Sequence, residues 1–223
     1  MTPRAVLLDA LGTLVELQPP APRLRALLAE EGFEVSEERA AAAFGAEIAY
    51  YVEHHLEGRD RRSLDDLRDR CAEILRDALD LADLDHGGAR RAMLGALEFR
   101  PYEDVAPALG ELRRRGARLV VASNWDCSLA GWLEAAGVLE LVDGMVTSAE
   151  AGAAKPDAAI FRRALARAGA ERGDAVHVGD SLENDVAGAR AAGIRAVLVR
   201  RTGAPPPGVE AIRSLAELPA LLS

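Results

Sequence analysis

Four short segments of the chain set carboxylates, a hydroxyl and an amine directly after runs of apolar residues. The first run ends in Asp9-Ala10-Leu11-Gly12-Thr13, where an acidic group followed by glycine and threonine can turn the backbone tightly around a ligand. An aspartate that merely caps the next turn explains that segment equally well when it is taken alone. The second run ends in Ser123-Asn124-Trp125-Asp126, a hydroxyl and backbone N–H groups suited to a phosphoryl or carboxylate oxygen. Helix capping by Ser123 or Asn124 is compatible with that use. The third segment is Lys155-Pro156-Asp157, and Lys155 is the only lysine among 27 lysines and arginines. A chain that uses arginine almost everywhere keeps lysine where a compact ammonium charge is needed, chance being the alternative. The fourth, His177-Val178-Gly179-Asp180-Ser181-Leu182-Glu183-Asn184-Asp185, is the most specific, because Asp180 and Asp185 supply the hard oxygen ligands that Mg²⁺ prefers.

These segments need strands to carry them to a common edge. Apolar runs at Ala5 to Leu8, Arg118 to Ala122, Val142 to Thr147, Ala175 to Val178 and Arg195 to Val199 alternate with helical patterns, which predicts an α/β fold built on a parallel sheet. Open sheets of this kind bind ligands beyond the carboxyl ends of their strands. From about Leu17 to about Arg100 there is no strand signal. Apolar residues at three- and four-residue spacing over Arg23 to Glu30, Glu37 to Leu56 and Leu64 to Leu81 predict helices, broken at Gly32, Gly58 and Gly87-Gly88, with Ser36 starting the second. A stretch of that length is a helical subdomain rather than a loop. Lys155-Pro156-Asp157 is expected to open a helix over Ala158 to Ala168, with the proline in its first turn. Gly203 to Gly208 reads as a proline-rich surface connection before a short strand and a final helix.

Composition narrows the class. The chain has 223 residues, 49% of them hydrophobic, enough to bury a sizeable core. A net charge of -9 and no basic stripe argue against nucleic-acid binding. No apolar run reaches membrane-spanning length, and the N-terminus carries no secretory pattern. Cys71 and Cys127 suggest no disulfide framework, so the expected location is the cytoplasm.

Taken in order, the four segments resemble the motifs of the haloacid dehalogenase (HAD) superfamily of aspartate-nucleophile hydrolases. The resemblance covers the whole chain and implies a Rossmann-like core, 1–16 and 101–223, with an inserted helical cap over 17–100 as in the C1-capped subfamily. It implies Asp9 as nucleophile, with Thr13, Ser123 and Lys155 completing the catalytic set. Ser123, Asn124, Lys155 and Trp125 would meet the substrate, although Trp125 serves equally well as packing. Mg²⁺ would be held by Asp9, the Leu11 carbonyl, Asp180 and Asp185.

One residue departs from the phosphatases of the family. They carry a second aspartate two residues after the nucleophile as general acid, and here that position is Leu11. Losing such an acid costs about 10²–10⁴-fold for leaving groups that need one. The family's 2-haloacid dehalogenases also lack the acid, which makes dehalogenation an alternative. Against it stand Asp180, whose uncompensated carboxylate would repel a haloacid, the absence of a convincing cap arginine in the corresponding place, and Phe161, which lacks a hydroxyl where those enzymes place an aromatic residue. A magnesium-dependent phosphatase acting on a small phosphate ester is the leading expectation, and a weakened binding module is the third. His54, Glu47 and Glu53 are candidates to replace the missing acid. His54 and His55 lack metal-pair spacing, Cys127 has no histidine partner, and His177 reads as a satisfied core histidine.

Overall fold

The computed structural model describes residues 3–223. Six strands form one parallel sheet: β1 (Ala5–Leu8), β4 (Arg118–Ser123), β5 (Gly144–Thr147), β6 (Ala175–Gly179), β7 (Arg195–Val199) and β8 (Ala211–Ile212). Two shorter strands, β2 (Val15–Leu17) and β3 (Phe99–Pro101), pair with each other as a separate ribbon. The sheet order is β5-β4-β1-β6-β7-β8. Every residue of β1 is buried, as a strand covered on both faces requires, which is why it reads as an unbroken apolar run.

Register brings the strand ends level. Leu8 lies opposite Val121 on one side and Val178 on the other, and the Asp9 N–H extends the ladder by donating to the Val178 carbonyl at 2.9 Å. The chain builds outward from β1 through β4 to β5, then crosses back over β1 to β6. That reversal opens a crevice at the carboxyl end of β1, the place where such sheets take ligands.

The chain divides into two compact units, one running up to Glu16 and resuming over Pro101–Ser223, the other Leu17–Arg100. The second is helical: α1 (Pro20–Glu30), α2 (Glu37–His54), α3 (Arg61–Leu79) and α4 (His86–Ala96). Leu24, Leu28, Phe44, Leu67, Leu75, Leu79 and Met93 supply its buried interior. Ser36 caps α2 by accepting from the Arg39 N–H, as expected.

Several boundaries differ from the sequence reading. Helix α3 starts at Arg61 because Asp60 and Ser63 form a reciprocal capping box. Gly87-Gly88 is no break: Asp85 caps α4, and both glycines sit in its first turn. Pro156 lies ahead of the helix rather than inside it, because Asp157 is the N-cap, and the Lys155-Pro156 bond is cis. The strand expected from Val142 begins at Gly144, since Val142 closes a 3₁₀ turn over Leu139–Leu141. Ribbon strands β2 and β3, at the two junctions between the units, are too short for a periodic signal.

Inside the helical unit, Glu47 on α2 is buried, and burial pushes its carboxyl up to about 7 against a Cys71 hydrogen bond that pulls it down. The folded chain therefore holds a proton that the unfolded chain releases near the ordinary value of 4.5. The associated stability is fully present below pH 4.5 and is lost as pH rises through about 7. Thermal denaturation of wild type and Glu47→Gln across that window should show the variant gaining on wild type as pH rises; a constant difference would contradict the assignment.

Candidate active site

The ends of β1, β4 and β6 and the loop before helix Ala158–Ala168 converge on one carboxylate. Asp9 is only 6% exposed. Its Oδ1 accepts from the Ser123 hydroxyl at 2.9 Å and from the Lys155 ammonium at 2.6 Å. Lys155 Nζ donates as well to Asp185 Oδ1 at 2.7 Å, so one buried cation ties two carboxylates. Asn124 fixes the Lys155 backbone from both sides: its Nδ2 donates to the Lys155 carbonyl at 3.0 Å and its Oδ1 accepts from the Lys155 N–H at 2.7 Å. The side chain expected at the substrate is thus committed to building the site. Trp125 is buried, and its backbone is clamped by Ser148, whose hydroxyl meets both its N–H and its carbonyl.

Asp185 sits in a single π-type turn over Leu182–Ala187 that follows β6, with Ser181 capping it. Its Oδ1 also faces His177 Nε2 at 2.8 Å, and its Oδ2 accepts from the Ser181 N–H at 2.9 Å. Gly179 permits this approach, because a Cβ there would fall 2.1 Å from the Asp185 carboxyl carbon. Gly12, at φ +84°, performs the same service for Asp180: a side chain at that position would strike the Asp180 carboxylate at 2.2 Å. The glycine after the nucleophile segment thus makes room for the acidic group at the end of β6.

Electrostatics follow from that crowding. Burial pushes the Asp9 carboxyl above its ordinary value, Lys155 opposes this, and Asp185 adds to it. Asp180 is more open to solvent, yet partial desolvation and the Asp9 and Asp185 charges push it up to about 6. Burial works against ionising Asp185 too, but His177 and Lys155 hold it well below the usual carboxylate range. Burial likewise disfavours the Lys155 ammonium, and the two carboxylates outweigh it, so Lys155 is raised.

Asp9, Asp180 and Asp185 each present an oxygen within 4.8 Å of the others. Three carboxylates against one lysine leave net negative charge in a partly desolvated place, and two of them are pushed toward protonation. That donor set fits a small hard cation, which would relieve the repulsion and keep Asp9 ionised.

Thr13 is fully buried, its hydroxyl has no hydrogen-bond partner among the described residues, and its carbonyl accepts from Arg201 at 2.8 Å. Arg201, which the sequence reading passed over, also grips Asp104 at 2.9 Å and lies over the Tyr102 ring at 3.5 Å. Leu11 is 43% exposed and places no polar side-chain atom where a general acid would stand. Phe161 is fully buried, edge-on to His177 at 5.0 Å, so it lines no pocket. Among the alternative acids, Glu47 is interior to the helical unit, Glu53 is exposed, and His54 turns Nδ1 to the Tyr50 carbonyl at 2.8 Å. Among the described residues the cysteines form no disulfide, and no helix is long and apolar enough to cross a membrane.

The chain is similar in sequence and fold to known proteins. A Mycobacterium tuberculosis protein named as a phosphatase is 36% identical over 146 residues, 63% of this chain and 66% of its own length. The chain spans about half or less of the relatives described as haloacid dehalogenase-like hydrolase domain-containing protein 3, 40% in Bos taurus and 55% in Danio rerio. Among solved structures, a HAD phosphatase from Thermococcus onnurineus matches 98% of this chain and 97% of its own at 27% identity and a TM-score of 0.69. A 2-haloacid dehalogenase from Pseudomonas syringae matches the same shares at 26% identity and 0.70. The family model described as haloacid dehalogenase-like hydrolase matches residues 3–193, a span that holds all four strand-end segments, and the chain belongs to that family of hydrolases.

Proposed function

We propose that the protein is a magnesium-dependent phosphatase of small phosphate esters, with Asp9 as covalent nucleophile. The observation that carries this reading is the cluster of Asp180 and Asp185 beside Asp9, because a carboxylate group of that density suits a cation and disfavours a bare haloacid carboxylate. The phosphatase name borne by relatives supports it. The helical unit over Leu17–Arg100 serves as the cap, in the C1 position, and cysteines that form no disulfide suit a reducing cytoplasm.

Ser123 and Lys155 both hold Asp9 Oδ1, which leaves Oδ2 to attack phosphorus. As the Oδ2–P bond forms, the P–O bond to the leaving group breaks and that group departs as its anion. A water then attacks phosphorus and releases Asp9 as its carboxylate, its protons leaving with inorganic phosphate. The Asn124 backbone N–H and Lys155 stabilise charge on the equatorial oxygens, joined by the Ser123 hydroxyl as it turns from Asp9 to the phosphoryl group, and Thr13 shapes the turn between. Asp9, Asp180 and the Leu11 carbonyl would hold Mg²⁺, with Asp185 acting directly or through water. When bound there, the ion neutralises the carboxylates and withdraws charge from the phosphoryl group.

Leu11 sets the substrate class within this reading. With no acid to protonate the leaving oxygen, acyl and aryl phosphates, whose leaving groups depart as anions, are the preferred esters. Dehalogenation is the second reading, favoured by Leu11 and by the dehalogenase fold match.

Hydrolysis of an aryl phosphate and of 2-chloropropionate, each with Mg²⁺ and with EDTA, separates the two. Phosphate release that disappears in EDTA and in Asp9→Asn is expected; metal-independent halide release would overturn the proposal. No turnover of either, in wild type as in Asp9→Asn, would favour a binding module. Leu11→Asp should raise alkyl phosphate hydrolysis relative to aryl, by up to about 10²-fold. An unchanged ratio would remove the leaving-group explanation.

A further inference from the structure

We infer that His177 is a positioning residue for Lys155, acting through Asp185. An unbroken chain of contacts runs from His177 Nε2 to Asp185 Oδ1 at 2.8 Å, from that oxygen to Lys155 Nζ at 2.7 Å, and from Lys155 Nζ to Asp9 Oδ1 at 2.6 Å. Asp185 takes donors on both oxygens, Lys155 Nζ on Oδ1 and the Ser181 N–H on Oδ2, so it stands as an acceptor to the ring and Nε2 carries the hydrogen; the tautomer is assigned from this acceptor.

The sequence alone suggests a satisfied core histidine, and the structure corrects that. The ring is fully buried on β6, yet Nδ1 has no hydrogen-bond partner among the described residues. For packing against Phe161 an apolar side chain would fill the slot without burying an unpaired nitrogen. What the histidine adds is one N–H aimed at Asp185. Together with the Ser181 N–H on Oδ2, it fixes the plane of a carboxylate that is the second anchor of the lysine. Outer partners of this kind orient the groups that do the chemistry without touching substrate.

Lys155 is the only lysine of the chain, so its position can be read directly. An acylating reagent can label no other side-chain amine, and peptide mass spectrometry of the metal-free protein follows it without any assay of activity. His177→Phe keeps a ring against Phe161 and removes the donor, His177→Leu is the alternative should Phe not fold, and His177→Gln restores an N–H near Nε2. Labelling of Lys155 is expected to accelerate roughly tenfold or more in the Phe or Leu variant and to stay near wild type in Gln. The kinetic arm rests on the phosphatase reading: kcat on an aryl phosphate should fall roughly 10–100-fold in Phe or Leu with KM little changed, and recover in Gln. Wild-type labelling in the Phe and Leu variants, or equal acceleration in all three, would overturn the inference. A wild type that hydrolyses no phosphate but shows the expected labelling pattern would leave His177 in its role and remove the proposed function instead.

Discussion

The Lys155 ammonium is almost fully shielded from water and stands between Asp9 and Asp185, within hydrogen-bond reach of both. Burying a charge is costly unless it is paired and saturated with hydrogen bonds, and burying two carboxylates together costs more. Each neighbour of the trio meets part of that requirement. Ser123 donates to Asp9, Asn124 fixes the lysine backbone, Ser181 and His177 donate to Asp185, and the sheet delivers all of them from strands whose ends lie level. Asp180 stands beside this trio, and through it the site carries more negative charge than Lys155 neutralises. The structure is thus poised for a cation at the place where the sheet order reverses.

Much of this was legible in the residues, and the reasons can be stated. Strand β1 is buried throughout and β7 is buried after Arg195, so both read as apolar runs, and β6 is interrupted only by His177 before its terminal glycine. Asp9, Ser123, Lys155, Asp180 and Asp185 stand out because polar groups after such runs have no packing reason to be there, and because lysine is otherwise absent. The signals that failed are those fixed by tertiary context. His177 alternates with buried strand residues like any core histidine, and only the fold shows Asp185 eight positions on turning back to meet it. Arg201 is one arginine among many, and its grip on the Thr13 carbonyl and Asp104 joins residues far apart in the chain. Ser148 opens a short helix, and only the fold shows its hydroxyl clamping the Trp125 backbone. At boundaries the capping chemistry prevailed over periodicity, as Asp60 and Asp85 illustrate.

The fold alone does not choose the reaction. A phosphatase and a dehalogenase superpose on this chain with similar coverage and identity, so the chemistry has to be argued from side chains. Leu11 withholds a proton donor, a trait that suits halide departure and anionic oxygen departure alike. Asp180 breaks the tie, because its charge beside Asp9 is tolerable with a cation and unfavourable without one. A phosphatase relying on the leaving group's own stability reconciles both residues.

The central claim is that Asp9 Oδ2 becomes covalently bonded to phosphorus. Acid quench of the enzyme during turnover of an aryl phosphate, followed by peptide mass spectrometry, tests it directly. The account predicts a phosphoryl group on the peptide carrying Asp9, removed by hydroxylamine and missing in Asp9→Asn. Turnover with no phosphorylated peptide, or with the phosphoryl group on another residue, would contradict it.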